Sequence, residues 1–142
     1  MIFNDMRFSK RLSVLFLLTV LTVAATAKIV TPAHLYMFGF SASFKDTSVY
    51  LTDIQDVQGA CIDSKTDFLF NRDGYAQQLR DYLANSQQQP GRVCVVIYAT
   101  SLKKAEKKFR KFQRIYIEKG SYDVRKLTAA DFRFTPEMSD EE

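Results

Sequence analysis

The stretch 92–127, RVCVVIYATSLKKAEKKFRKFQRIYIEKGSYDVRKL, constrains the fold of this chain most. Val93, Val95, Val96 and Ile97 are β-branched and follow Pro90-Gly91, which favours a strand buried on both faces. Ser101 offers a hydroxyl to the orphan N–H groups of a first helical turn. From Leu102, apolar residues return at three- and four-residue steps, at Ala105, Phe109, Phe112 and Tyr116, and make one stripe. Lys103, Lys104, Lys107, Lys108, Arg110, Lys111 and Arg114 fill the other side. Gly120 is placed to end the helix in a left-handed conformation, and 122–127 reads as a second strand. Strand, helix and strand suggest a crossover, right-handed if the two strands lie parallel in one sheet.

The chain has 142 residues, enough for one domain. Residues 1–27 are expected to stand outside it. Arg7, Lys10 and Arg11 form a basic start, 12–24 is an apolar run, and Ala25-Thr26-Ala27 is a small-x-small cleavage site. That is a secretory signal peptide pattern, with an apolar run too short for a good membrane span. No cysteine follows the run, so a lipoprotein signal is missing. The start is bacterial in style, which makes the periplasm or secretion the expected address. Removing the leader takes away three basic residues and Asp5, so the formal charge of +4 falls by two. With so small a balance, the local cluster on the helix matters more than the net charge.

Cys61 and Cys94 are the two cysteines. An oxidising compartment permits a disulfide between them. Cys94 in the middle of an apolar strand suits a buried free thiol equally well.

The front half reads as a hairpin. In 34–44, Tyr36, Phe38, Phe40, Ala42 and Phe44 fall on one face, and Leu35, Met37, Gly39, Ser41 and Ser43 on the other, which is a period-two strand with an aromatic core face. Lys45-Asp46-Thr47 is a turn and 48–53 the return strand. Asn71 or Asp73 caps a helix over 72–84, carried by Tyr75, Ala76, Leu79, Tyr82 and Leu83. A polar loop ends at Pro90-Gly91, and Phe132-Arg133-Phe134 forms a short last strand. The order ββαβαβ predicts an α+β fold: a two-layer sandwich with a small mixed or antiparallel sheet of about four strands and both helices on one face. The domain spans 28–136, and 137–142 is an acidic, disordered tail.

No constellation for catalysis stands out. His34 is the one histidine, and a Cys–His hydrolase would need it beside Cys61 or Cys94 with a third group to orient it. One histidine and two scattered cysteines give no zinc ligand pair, and no cofactor is implied. Gly39-Phe40-Ser41-Ala42-Ser43 lacks the second glycine of a nucleophile elbow and sits inside a strand. Asn71-Arg72-Asp73-Gly74 fails as a calcium loop, because Leu69 and Arg80 would fall on its acidic positions. Asp53, Asp56, Asp63 and Asp67 could hold a looser calcium site, but no ligand geometry is implied and a solvated loop is the expected reading.

The basic face is the candidate binding site: Lys103, Lys104, Lys107, Lys108, Lys111 and Arg114. Export disfavours nucleic acid, so an envelope protein or an anionic envelope polymer or lipid surface is the expected partner. A solvated helix face that keeps the protein soluble accounts for the same charges.

Over 93–134 the chain resembles half of a SPOR-type cell-wall-binding module: a strand, a helix with Ala105-Glu106-Lys107-Lys108-Phe109, a glycine, then Tyr122-Asp123-Val124. The front half departs from it, since a hairpin precedes the first helix. As a whole the chain resembles small exported proteins of unknown function from gut-type anaerobic bacteria. That resemblance implies export and a single domain, and supplies no active site. The expected function is a non-enzymatic exported binding or adaptor module of the envelope. A periplasmic inhibitor with one tight partner enzyme is the alternative, and a small hydrolase a third.

Overall fold

The computed structural model describes residues 28–139; the signal peptide read at 1–27 and residues 140–142 lie outside them. In chain order the elements are β1 (Ile29–Val30), β2 (Tyr36–Ala42), β3 (Ser48–Thr52), β4 (Gln55–Asp56), β5 (Ile62–Asp63), α1 (Arg72–Ser86), β6 (Val93–Ala99), α2 (Leu102–Gln113), a π-helical turn (Arg114–Glu118) and β7 (Asp123–Leu127). The α+β class, the two helices and the mixed sheet agree with the sequence pattern.

β2 is the centre of a five-stranded sheet. Along one side it pairs antiparallel with β6, from Tyr36 opposite Ala99 to Ala42 opposite Val93. Along the other it pairs with β3, Phe40 opposite Leu51, and then with β4, Met37 opposite Gln55. β3 and β7 are parallel, Ser48 opposite Asp123 through Thr52 opposite Leu127. β6 and β7 therefore run the same way with β2 and β3 between them, and α2 with its π turn is the crossover. Between Leu51 and Gln55 the chain spends one residue more than β2 does between Phe40 and Met37, which is a β-bulge. The Thr52 hydroxyl repairs the ladder there: it accepts the Gly39 N–H at 2.8 Å and donates to the Asp53 carbonyl at 3.0 Å. β1 and β5 form a separate two-stranded sheet.

The two helices lie on opposite faces of the sheet, which corrects the expected two-layer arrangement with both on one face. Side chains alternate along β2. A Cβ on Gly39 would come within 2.7 Å of Leu79 on α1, whereas its neighbour Phe38 stacks edge-on against Phe109 and Phe112 of α2, with ring centroids 5.1 and 5.5 Å apart. One core joins Met37, Tyr50, Cys94 and Val96 to Tyr75, Leu79 and Leu83. The other joins Phe38, Phe40, Val49 and Leu51 to Phe109, Phe112 and Tyr116. The cause is the strand itself: β2 carries Met37, Gly39 and Ser41 as well as its aromatic side, and neither face is polar enough to meet water. Phe44, expected on the aromatic face, lies past the end of β2 and is 98 % exposed.

Local signals account for the helix starts. The Ser101 hydroxyl accepts the Lys104 N–H at 3.4 Å, and the Asn71 side chain, in left-handed backbone (φ 49°), accepts from Gly74. Gly120 acts differently from expectation. Its φ is not positive, and a side chain there would strike the Tyr122 ring, so the residue makes room for an aromatic contact.

Phe132-Arg133-Phe134 is not a strand, although Phe132 and Phe134 are buried. The side-chain amide of Gln55 replaces the missing ladder, donating to the Phe132 carbonyl and accepting the Phe134 N–H, each at 2.8 Å. The segment then lies along α1. Gln78 bonds Thr135 through both its amide oxygen and nitrogen, and the Glu137 N–H donates to the Tyr75 hydroxyl at 2.7 Å. Glu137, placed in the acidic tail by its composition, is thus held against the helix.

Arg92 is a charge buried to 4 % exposure at the start of β6. Its guanidinium donates to the Ser41 and Ser48 hydroxyls and to the Ser48 carbonyl, lies 3.7 Å from Asp46 and sits 4.9 Å from the centre of the Tyr50 ring. With every donor group placed, it ties the hairpin end of β2 and β3 to β6.

Candidate functional site

Helical geometry divides the basic face of α2 into two stripes. At about 100° per residue, Lys103, Lys107, Arg110 and Arg114 align on the side away from Ala105, Phe109 and Phe112. Lys104, Lys108 and Lys111 align on one flank between those two sides. The flank faces the free edge of β6. There Lys104 and Lys108 line a groove of about 340 Å³ together with Thr66, Asp67, Phe68, Arg72, Tyr98 and Thr100. Of the six basic residues singled out from the sequence, the structure gathers these two in the groove. Lys103, Lys107, Lys111 and Arg114 are exposed and do not line it.

Opposite faces of the sheet supply the two walls. From the α2 side, Lys108 Nζ donates to the Tyr98 carbonyl at 2.9 Å. From the α1 side, Arg72 sends both Nε (3.0 Å) and Nη2 (2.6 Å) to the Val96 carbonyl. Both cations lie over the Tyr98 ring, at 5.5 Å for Arg72 and 5.9 Å for Lys108. The Tyr98 hydroxyl pins the third wall, donating to the Asp67 carbonyl (2.9 Å) and accepting the Leu69 N–H (3.0 Å). Asp63 shapes that loop by accepting the Lys65 and Thr66 N–H groups, which hold its carboxyl below the ordinary range. Among the described residues no salt bridge joins Arg72, Lys104 or Lys108 to a carboxylate. The lining holds one carboxylate, Asp67, against the three cations Arg72, Lys104 and Lys108, and this positive balance suits an anion better than a metal ion.

Arg72 and Tyr98 do not stand out in the sequence. Arg72 follows a helix cap and Tyr98 closes an apolar strand, and neither position differs locally from a structural one. Their importance comes from pairing across the sheet edge.

The other candidates have structural partners. His34 Nδ1 is 2.7 Å from Asp56 Oδ2, and its ring stacks on Tyr36 at 5.7 Å. Burial raises the Asp56 carboxyl, but the hydrogen bonds from His34 and the Leu35 N–H outweigh it and leave the group below its ordinary value. Among the described residues His34 is hydrogen-bonded to no thiol or hydroxyl. Both cysteines are buried free thiols. Cys61 Sγ lies 3.3 Å from the Thr31 hydroxyl, while burial pushes the Cys94 thiol up and makes it a poor nucleophile. No helix among the described residues is long and apolar enough to cross a membrane.

No protein-family model matches the chain, and no curated protein and no solved structure matches it either. The class that fold and site define is an α+β domain with helices on both faces of a mixed sheet and a cationic groove along one sheet edge.

Proposed function

We propose that this chain is an exported, non-enzymatic binding module of the bacterial envelope, and that the groove at the edge of β6 is its contact site. The observation that carries the reading is the convergence of Arg72, Lys104 and Lys108, from two helices on opposite faces, on one groove where, among the described residues, no carboxylate is ion-paired to them. Charges on a merely solvated face need no such convergence. Here two of the three are drawn onto backbone carbonyls beside an aromatic ring. Cations already positioned in this way lose little freedom on meeting an anionic partner, and a carboxylate or phosphate is a stronger acceptor than a carbonyl. The partner is an acidic envelope protein or an anionic polymer or lipid surface. Export rests on the leader pattern of 1–27.

Two charge reversals on the same helix test the site. Lys104→Glu with Lys108→Glu alters the groove, and Lys103→Glu with Lys107→Glu alters the outward stripe by the same total charge. Binding to fluorescent poly-glutamate and to phosphatidylglycerol vesicles is measured at low and moderate salt. The groove pair is expected to abolish binding and the outward pair to reduce it modestly. Equal losses from the two pairs would mean a diffuse field and would exclude the groove as the site.

A further inference from the structure

We infer that the outer edge of β6 takes up an extended acidic peptide as an added strand, with its carboxylates seated on Arg72, Lys104 and Lys108. This deepens the reading of the groove as the contact site and rests on it.

The edge is open and regular. Among the described residues β6 pairs with β2 alone. The carbonyls of Val96 and Tyr98 are reached from outside by Arg72 and Lys108, and Gly39, opposite Val96, turns its N–H to Thr52 on the other side of β2. A strand residue presents its N–H and C=O to the same side. The N–H groups of Cys94, Val96 and Tyr98 therefore also point outward, and none has an acceptor among the described residues. Val96 is only 1 % exposed because its side chain lies in the core beneath α1, while its carbonyl is held at the edge by Arg72.

The space beside the edge is elongated. A second groove of about 310 Å³, lined by Arg72, Asp73, Ala76, Cys94, Val95 and Val96, shares Arg72 with the first. Arg72 lines both and divides them. Together they follow the edge from Cys94 to Thr100, a span of roughly 20 Å at about 3.3 Å per residue, which is the length of an ordinary strand. Val93 and Val95, 48 % and 40 % exposed, and the exposed Phe68 offer apolar contacts to alternate side chains of such a strand.

Charge selects the occupant. Arg72 and Lys108 now spend their charge on neutral carbonyls, and a carboxylate is the better acceptor. As an acidic strand docks, Arg72 and Lys108 pass from the carbonyls to its carboxylates. The freed Val96 and Tyr98 carbonyls accept N–H groups of the peptide, whose carbonyls accept the outward N–H groups of β6. A neutral strand has nothing with which to draw the cations off the edge. A second copy of this chain would bring the same cations to the same place, so self-pairing at β6 is opposed by like charge.

The test uses short synthetic peptides alternating Glu with Val or Thr. Matched peptides carry N-methyl groups on alternate backbone amides, and further ones carry Gln for Glu. Phosphatidylglycerol vesicles and pyrophosphate serve as non-peptide anions. Binding by fluorescence anisotropy is combined with amide exchange at Val96 and Tyr98. The acidic peptides are expected to bind, to weaken about tenfold or more on N-methylation of the paired edge and on Gln substitution, and to slow exchange at both amides. Binding indifferent to N-methylation, with exchange unchanged, overturns strand addition and leaves the groove standing as a charge site. Binding of vesicles or pyrophosphate alone overturns strand addition in the same way. If no probe binds the wild-type protein, both the strand and the groove reading fall.

Discussion

α1 and α2 cover opposite faces of one sheet and do so very differently. α1 buries Tyr75, Ala76, Leu79 and Leu83, while α2 buries Ala105 and leaves Phe109 and Phe112 half-covered. Yet α2 has the cleaner division of apolar from charged residues in its sequence. The difference comes from what lies outside each helix. The C-terminal segment runs over α1, with Phe132 against Tyr82 (ring centroids 5.2 Å apart) and Phe134 against Tyr75 (6.2 Å), so α1 is covered on two sides. Among the described residues α2 has the sheet beneath and no segment over its outer side, and both Ile115 and Ile117 of the following π turn are exposed. A sharp amphipathic pattern therefore marks a helix with one neighbour, and a blurred one a helix with two. The exposed helix supplies two of the three groove cations, Lys104 and Lys108, and the covered helix supplies Arg72 at its first turn.

The largest predicted effect probes the α1 layer. Leu79→Ala removes a fully buried side chain and is expected to cost about 2–5 kcal/mol in urea unfolding. Phe109→Ala, on the α2 layer, is expected to cost less despite removing more atoms. Equal or larger losses at Phe109 would erase the contrast between the layers.

Gly39→Ala comes next, at about 1–3 kcal/mol, because the new methyl would meet Leu79 at 2.7 Å and Phe134 at 3.1 Å. Combined with Leu79→Ala it should cost less than the two singles together, since truncating Leu79 opens the space the methyl needs. Strict additivity would place Gly39 away from α1. Ser101→Ala removes the cap of α2 and is expected to cost about 1 kcal/mol, read as a lower urea midpoint with unchanged slope.

The smallest effect concerns turns on the periphery of both layers. Asp46, through Ser48, and Asp63, through the Lys65 and Thr66 N–H groups, have carboxyls held below the ordinary value of 3.8. A depressed folded pKa gives stability that is present above the unfolded value and lost as pH falls through the folded one. Urea midpoints should be flat from neutral pH down to about pH 5 and then fall, and Asp63→Asn should flatten the acid limb. An acid limb unchanged in that variant would show that Asp63 contributes nothing to it.

Neighbouring residues along the chain settled the local features. The spacing of Ala105, Phe109 and Phe112, the caps at Ser101 and Asn71, and the alternation through β2 each depend on residues a few positions apart, and the corresponding elements form where the pattern places them. The α+β class followed from their order. Long-range packing determined which face each helix covers, because an apolar strand with two buried faces is compatible with either placement. It also turned Phe132 and Phe134 from a strand into a segment paired by the Gln55 amide, a contact across 77 to 79 residues that no local signal carries. The groove belongs to the same category. Lys104 and Lys108 were visible as part of a basic helix, but Arg72 reaches them only because β6 is an edge with a helix on each side. Charges on separate elements become a site when non-local pairing brings them to one place, and that pairing is set by the packing of the whole chain.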